Sequence, residues 1–347
     1  MLKVILGETN LSVSRVGMGV LPIGPGQLAL PLDRGAEIIC YAVKNGINFI
    51  DTAQYYRTYP YIKRALEMLV DSEEESSRRA ATSRAAGSRA ADSRAADKVS
   101  DSLVICSKSL AQDYSGMMSA IHEAMAELER PFIDIFLMHE VRTGGFEERK
   151  GAWQALIDAR DQGLVRAIGV STHHIDVTLQ MAGIPECDVV FPLINYASMG
   201  IRRGSDAGSC EEMLEAIRAC RNGGKGIFTM KVFGGGNLTD NYQKALDYVF
   251  SKDEIQSVMI GFGHKSEIDD IISYLDGTMP PDYNPDTSHK KMRINQEDCE
   301  GCGSCMKSCA SGAIFYNKNG LAEIDQSRCL TCGYCSYACP VRAVIRY

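Results

Sequence analysis

The stretch Ile133–Ser171, IDIFLMHEVRTGGFEERKGAWQALIDARDQGLVRAIGVS, decides the fold. It opens on an apolar run at 133–139, continues through the amphipathic segment AWQALIDARDQ (152–162), and closes on a second apolar run at 166–171. Two short apolar runs around a helix-period segment are the pattern of parallel strands joined by a crossover helix. The pattern recurs on both sides. Strands are expected near 15–19, 47–51, 103–108, 188–195, 226–231 and 257–261. Helical segments AEIICYAVKN (36–45), MMSAIHEAMAELE (117–129), CEEMLEAIRACRN (210–222) and YQKALDYVF (242–250) lie between them. Eight such repeats predict an α/β fold closed into a (β/α)8 TIM barrel; an open doubly wound sheet is the alternative. The opening KVILGETNLSVSR reads as a hairpin laid over the bottom of that barrel.

Three segments follow from this reading: a barrel over 1–276, a linker over 277–292 and a small module over 293–347. Within the barrel, residues 72–99 break the alternation with Glu73, Glu74 and Glu75 and then SRAAG, SRAAD and SRAAD (83–97). Such a stretch has almost nothing to bury against its ordering entropy, so a disordered low-complexity insertion is expected in preference to a solvated helix. Without it, the barrel segment comes close to the ~250 residues typical of a TIM barrel. The run GTMPPDYNPDTSHKKM (277–292) has linker composition.

The chain has 347 residues, 45% of them apolar and 23% charged, with a formal net charge of −7. Those fractions exclude disorder and collagen-like structure, and a mildly acidic total excludes a dedicated nucleic-acid binder. No apolar run approaches the ~20 residues that span a bilayer, so no membrane partner is expected. The segment MLKVILGETNLSVSR has no apolar signal core, and a cytoplasmic location is the expectation.

Thirteen cysteines are unevenly spread. Cys40, Cys106, Cys187, Cys210 and Cys220 stand singly; Cys106 lies inside the third strand and reads as a small buried hydrophobe. The other eight form two runs of C-x2-C-x2-C-x3-C in the tail, Cys299, Cys302, Cys305, Cys309 and Cys329, Cys332, Cys335, Cys339. A disulfide framework belongs to short exported chains, and paired zinc knuckles rarely show an eight-cysteine duplication. This tail resembles a bacterial-type ferredoxin, which implies a small α+β module carrying two [4Fe-4S] clusters. The resemblance also implies that the fourth cysteine of each run crosses to the other cluster. Cys299, Cys302, Cys305 and Cys339 would then hold one cluster, and Cys329, Cys332, Cys335 and Cys309 the second. Pro340 follows the last ligand as in that family, whereas Ala310 takes the corresponding place after Cys309. Gly301, Gly303 and Gly333 suit backbone wrapped around a cluster.

Chemically competent side chains sit at the expected C-terminal strand ends, where barrel active sites are built. Asp51 ends the second strand and Tyr56 follows it; Lys108 ends the third and His139 the fourth. With GMGVLPIG (17–24), GINFIDTAQYY (46–56), GLVRAIGVS (163–171), GGGNL (234–238) and MIGFGHKSEIDD (259–270), this constellation resembles the aldo-keto reductase superfamily. The resemblance implies a reductase in which NADP or NAD exchanges hydride with a small-molecule carbonyl or alcohol. Tyr56 would be its general acid/base, Lys108 the cation lowering the phenol's pKa, Asp51 the partner of Lys108, and His139 the orienting group. It further implies that Ser171 and Asn195 bind the nicotinamide carboxamide. Thr172 stands where relatives often carry Asn, and Met230 where many stack a tyrosine. Gly234, Gly235 and Gly236 would approach the pyrophosphate, and Ser266 would bind the adenine-side phosphate at a helix N-terminus. Gly19, Lys231 and Gly261 complete the cofactor set. Glu267 would repel a 2′-phosphate, with His264 and Lys265 as compensating charge, so NAD and NADP both stand.

His173 and His174 read as polar residues lining the barrel mouth in preference to metal ligands, and Met117, Met118 and Met125 as core packing. Hydride moves two electrons together and an iron-sulfur cluster one at a time; no flavin fingerprint is evident, and a flavin stays open. The leading expectation is a reductase coupled to an electron-transfer module and a redox partner protein. The alternatives are an electron-transfer or redox-sensing protein using the barrel as a docking platform, and clusters that only staple the tail.

Overall fold

A computed structural model describes residues 1–85, 102–287 and 290–347. The apolar runs form eight parallel strands that close on themselves: β1 (Val16–Gly19), β2 (Phe49–Asp51), β3 (Val104–Ser109), β4 (Ile133–Met138), β5 (Val165–Thr172), β6 (Val189–Pro192), β7 (Gly226–Thr229) and β8 (Ser257–Gly261). After each strand the chain returns through a helix: α1 (Leu32–Lys44), α2 (Tyr59–Ala85), α3 (Tyr114–Glu127), α4 (Lys150–Asp161), α5 (Ile175–Ala182), α6 (Cys210–Asn222), α7 (Tyr242–Phe250) and α8 (Lys265–Leu275). This is the (β/α)8 barrel expected from the alternation. Strands β6 and β7 stop short of the expected ends, so Asn195, Met230 and Lys231 lie in the loops just beyond them.

Inside the barrel, Phe49, Val104, Ile135, Val189, Phe191 and Phe228 pack together, filling it as a core and not a pore. The hairpin Lys3–Ile5 with Ser12–Ser14 plugs the bottom by adding Leu6, Leu11 and Val13 to that cluster. Asn48 locks it there, accepting from Ser14 N at 2.7 Å and donating to Ser12 O at 2.9 Å. With the bottom sealed, the cavity among the described residues opens at the C-terminal strand ends. Cys106 is fully buried in the barrel interior. Met117 is buried, with Met118 and Met125 packed against the outer core.

Residues 72–85 differ from expectation. Helix α2 runs unbroken through them to Ala85 instead of ending in a loop. Its first turns are anchored by buried Tyr59, Ile62, Ala65 and Leu69, and Ala, Arg and Glu extend a helix already nucleated at little cost. The rest of the 72–99 stretch lies outside the described residues.

The tail pairs Met292–Ile294 with Val344–Arg346 and Ile314–Tyr316 with Ala322–Ile324, both antiparallel. Two one-turn helices, Ser304–Lys307 and Tyr334–Ala338, each follow a left-handed glycine, Gly303 at φ 72° and Gly333 at φ 80°. Met292, Ile294, Ile314, Ile324 and Val344 form its small apolar nucleus.

This module sits against the barrel. Asn237 donates to Val344 O at 3.0 Å and accepts from Ser336 Oγ at 2.7 Å. Arg346 N donates to Gly235 O at 2.8 Å. Gly236, at φ 83°, lets that strand come so close that a Cβ would overlap the Arg346 carbonyl. The segment of linker composition is also held. Pro280 O accepts from Gln243 at 2.7 Å, and Tyr283 packs edge-on to Tyr242 at 5.6 Å.

Barrel closure leaves no room for a side chain at Gly169, where β5 meets the Val189 carbonyl of β6. Gly169→Ala therefore forces two backbones apart and should cost at least about 2 kcal/mol, read as a lower urea midpoint.

Candidate active site

Three successive strands deliver the site. Asp51 is the last residue of β2, Lys108 the penultimate residue of β3, and His139 directly follows β4. Tyr56 comes from a single 3-10 turn, Gln54–Tyr56, after β2. That turn is braced by Ser109 Oγ donating to Gln54 Oε1 and by the Thr52–Thr58 hydroxyl pair, both at 2.7 Å. The strand ends are clamped by buried Arg149, which donates to His139 O at 2.8 Å and Ser109 O at 3.0 Å.

The four side chains converge. Lys108 Nζ donates to Asp51 Oδ1 at 2.7 Å and to Thr52 O at 2.6 Å. The same ammonium lies 4.8 Å from the centre of the Tyr56 ring. Tyr56 OH is 3.5 Å from His139 Nε2, with the two rings nearly perpendicular at 81°.

Burial governs their charges. Lys108 is 1% exposed and Asp51 5%, so each charge depends on the other for compensation. Burial lifts the Asp51 carboxyl above its usual range while Lys108 pulls it down. Burial, then Lys108, pushes His139 well below the ordinary imidazole value, leaving a neutral ring. Its Nδ1 has no hydrogen-bond partner among the described residues. Tyr56 departs from expectation. Its phenol is held well above the usual value, first by burial and then by Asp51, Glu297, Asp298 and Glu140. Burial is the largest cause of this shift, and the carboxyls add to it. Tyr56 is therefore a proton carrier across the neutral range.

Residues 15–254 match the family model described as the aldo/keto reductase family. The chain belongs to the aldo/keto reductase family. Residues 292–347 match the 4Fe-4S dicluster domain. This reductase-family chain is 22% identical over 238 residues to the methylglyoxal reductase DkgA of Escherichia coli (strain K12), covering 66% of the chain and 71% of that protein. It is 20% identical over 304 residues to the L-galactose dehydrogenase of Arabidopsis thaliana, covering 77% of the chain and 86% of that protein. In three dimensions it resembles a Bombyx mori aldo-keto reductase solved with NADP, at TM-score 0.56 and 16% identity over 80% of this chain and 89% of that one. Among the described residues, no helix is long and apolar enough to cross a membrane.

In this aldo/keto reductase the four side chains open into a cavity of about 650 Å³. Gly19, Ser171, Thr172, Met230, Lys231, Gly235, Gly236, Gly261, Ser266 and Glu267 all line it. Its size is that of ordinary small-molecule and cofactor sites. The first turn of α8 reaches it through Ser266. Ser171 Oγ accepts from Glu140 N at 2.9 Å and keeps its hydrogen to donate. Thr172 Oγ1 is taken up by Val141 O at 2.6 Å.

Two expected cofactor residues stand outside the lining. Asn195 is wholly buried, with its amide closing its own loop on Met199 O and Met199 N, both at 2.9 Å, so it has nothing left for a carboxamide. Gly234 packs against Met199 and Leu238. The glycine run serves the approach of Arg346 at least as directly as any pyrophosphate. Glu267 also behaves differently from a bare repelling charge. It accepts from Gly263 N at 2.7 Å, capping α8, and pairs with Lys290 at 2.6 Å. Lys265 is turned to Glu37 at 3.3 Å.

The 4Fe-4S module supplies part of the cavity wall, through Asn295, Glu297, Asp298, Ile345, Arg346 and Tyr347. Asp298 pairs with Lys231 at 3.0 Å. Although burial opposes its ionisation, Lys231 and His173 hold it well below the carboxylate range. Burial and Asp298 raise Glu140, so that pair shares a proton. Ligand atoms of Glu140, His173 and Asp298 lie within 4.8 Å of one another, with the Lys231 ammonium already balancing the charge. Glu140 and Lys231 both adopt left-handed backbone, at φ 51° and 58°. His173 lines the mouth, and burial lowers it to about 3. No spacing in the sequence singles out Glu140, Glu297 or Asp298; the only hint is that two acids directly precede Cys299.

All eight tail thiols are free. They fall into two groups. Burial and then Cys339, Cys299 and Cys302 raise the Cys305 thiol to about 11. Burial and then Cys329, Cys309 and Cys332 do the same for Cys335. Two sets of four crowded thiols, entered from left-handed glycines, fit thiolate-ligated clusters.

Removing Asp51 strands a buried ammonium. Asp51→Ala should destabilise the fold by about 3–5 kcal/mol, and adding Lys108→Met should recover much of the loss, both read from denaturant midpoints.

Proposed function

We propose that this protein interconverts small carbonyls and alcohols using NADP or NAD, and that the reaction is coupled to an iron-sulfur electron-transfer module. The observation that carries the reading is the convergence at the cavity mouth of Tyr56 OH on His139 Nε2 at 3.5 Å and of Lys108 on Asp51 at 2.7 Å. A nicotinamide bound in the cavity would supply the hydride. Ser171 would orient it, with Gly19 and Gly261 allowing close approach and Ser266 binding phosphate at the start of α8. Lys290 neutralises Glu267, which supports NADP as readily as NAD.

The residues divide the work as follows. Neutral His139 orients the carbonyl oxygen against Tyr56 OH. Tyr56, holding its proton, donates it as negative charge develops on that oxygen. Lys108, fixed by Asp51 against the Tyr56 ring, stabilises the phenolate left behind. In alcohol oxidation the same phenolate takes the proton back.

Cys299, Cys302, Cys305 and Cys339 would hold one [4Fe-4S] cluster, and Cys329, Cys332, Cys335 and Cys309 the other. Such clusters would supply one-electron transfer, exchanged with a redox partner protein in the cytoplasm. A flavin in the cavity would reconcile one- and two-electron steps. The second reading, a barrel that docks without turnover, is supported by the carboxyls that keep the Tyr56 phenol from ionising.

Anaerobically purified protein should contain about eight iron and eight sulfide per chain and should oxidise NADPH or NADH with a carbonyl. Tyr56→Phe should lower kcat/KM by about 10²–10⁴ with iron content unchanged. Wild type that consumes no nicotinamide against a broad carbonyl panel would falsify the reductase reading and leave the docking platform.

Because burial keeps His139 neutral across the neutral range, kcat for reduction should carry no inflection between about pH 6 and 8 that His139→Gln removes. A break near 6.5 that disappears in His139→Gln would contradict this.

A further inference from the structure

The loop between β7 and α7 is held at both ends by residues that stand next to cluster cysteines. Lys231, at its start, pairs at 3.0 Å with Asp298, the residue before Cys299. Asn237, further on, accepts from Ser336 Oγ at 2.7 Å, and Ser336 directly follows Cys335. Between these two anchors run Gly234, Gly235 and Gly236, in left-handed backbone at φ 55°, 67° and 83°. Gly235 and Gly236 line the cavity on one side. On the other they meet the module's last strand, where Arg346 N donates to Gly235 O at 2.8 Å.

Ser336 is wholly buried and Asn237 is 6% exposed, so removing either partner leaves the other without a bond and away from water. The Asn237 amide is fully used: its Nδ2 donates to Gly234 O at 2.8 Å and to Val344 O at 3.0 Å. It stands outside the cavity lining, so it acts on a ligand through the glycines. On the module side, Ser336 belongs to the five-residue helix Tyr334–Ala338, which is too short to hold itself. Ligation on either side would fix that turn, by Cys335 in the second cluster and Cys339 in the first.

We infer that the Asn237–Ser336 hydrogen bond couples the two cofactor sites: assembled clusters hold the glycine loop in its nucleotide-binding shape, and a bound nucleotide in turn holds the clusters. A glycine run has much freedom to lose, and a module that has already ordered it relieves the nucleotide of that cost. Linkage makes the effect mutual. The inference rests on the nicotinamide reading above and adds how the iron-sulfur module acts on that site without any electron passing between them. Ser336 and Asn237 are positioning residues and make no contact with the nucleotide themselves.

The test uses the full chain, purified anaerobically with its clusters, and NADP+ or NAD+ as the probe, so that the nucleotide brings no electrons. Ser336→Ala and Asn237→Ala should each raise the calorimetric Kd about 10-fold with iron content unchanged. The double variant should bind no worse than either single one, because both changes remove the same bond. Saturating nucleotide should slow the loss of iron to a chelator in wild type and have no such effect in either variant. A serine that only supported the module's fold would lower the melting temperature without erasing that protection. If Ser336→Ala loses its iron, Asn237→Ala, which lies in the barrel, carries the comparison.

Binding as tight as wild type in an iron-replete variant, additive losses in the double variant, or wild-type iron release indifferent to nucleotide overturns the inference while the reductase reading stands. If wild type binds neither NADP+ nor NAD+, the reductase reading falls and the inference falls with it.

Discussion

A charged lysine buried to 1% exposure is tolerable only with an oppositely charged partner in contact, and the Lys108–Asp51 pair is the constraint around which the active end of the barrel is arranged. It ties β2 to β3 at the height where the barrel opens. It leaves the ammonium against one face of Tyr56 and polarises the space in front of His139. Burial of the phenol, to which Asp51 and the module's carboxyls add, keeps it protonated.

The iron-sulfur module is thus more than an appendage to a reductase. Its first loop supplies Glu297 and Asp298 to the cavity, and its final strand lies on the glycine loop after β7. Lys231 joins the two through Asp298, and the strained backbone at Glu140 and Lys231 marks where they meet. A cavity built by one domain is closed by another, and the chemistry of the second domain's loops enters the first domain's pocket.

Much of this was legible in the sequence, and the reason differs by element. The barrel could be read because each β/α repeat carries its own period, as in the 210–222 and 242–250 segments, which form helices over those same residues. That Asp51, Lys108 and His139 lie at neighbouring strand ends could be read because the strands are short and successive; their meeting depends on barrel closure. The cysteine grouping came from the resemblance to bacterial-type ferredoxins, which implies the crossing of Cys309 and Cys339; the spacing alone does not give it. Asn195 could not. Whether an amide faces a ligand or closes its own loop depends on where Met199 turns back, and that is set by tertiary packing. Glu297 was invisible for a similar reason, since no periodicity links residue 297 to residue 56. The 72–85 stretch misled because low apolar content was weighed without the anchored helix leading into it.

The module's outer strands, Met292–Ile294 and Val344–Arg346, pair with each other, and the second of them is fastened to the barrel through Gly235 and Asn237. The module is also held at its first loop, where Asp298 pairs with Lys231. Under the proposed electron transfer, the gap between the thiol loops and the barrel mouth would be set by these contacts, unlike that of a carrier domain that shuttles on a hinge.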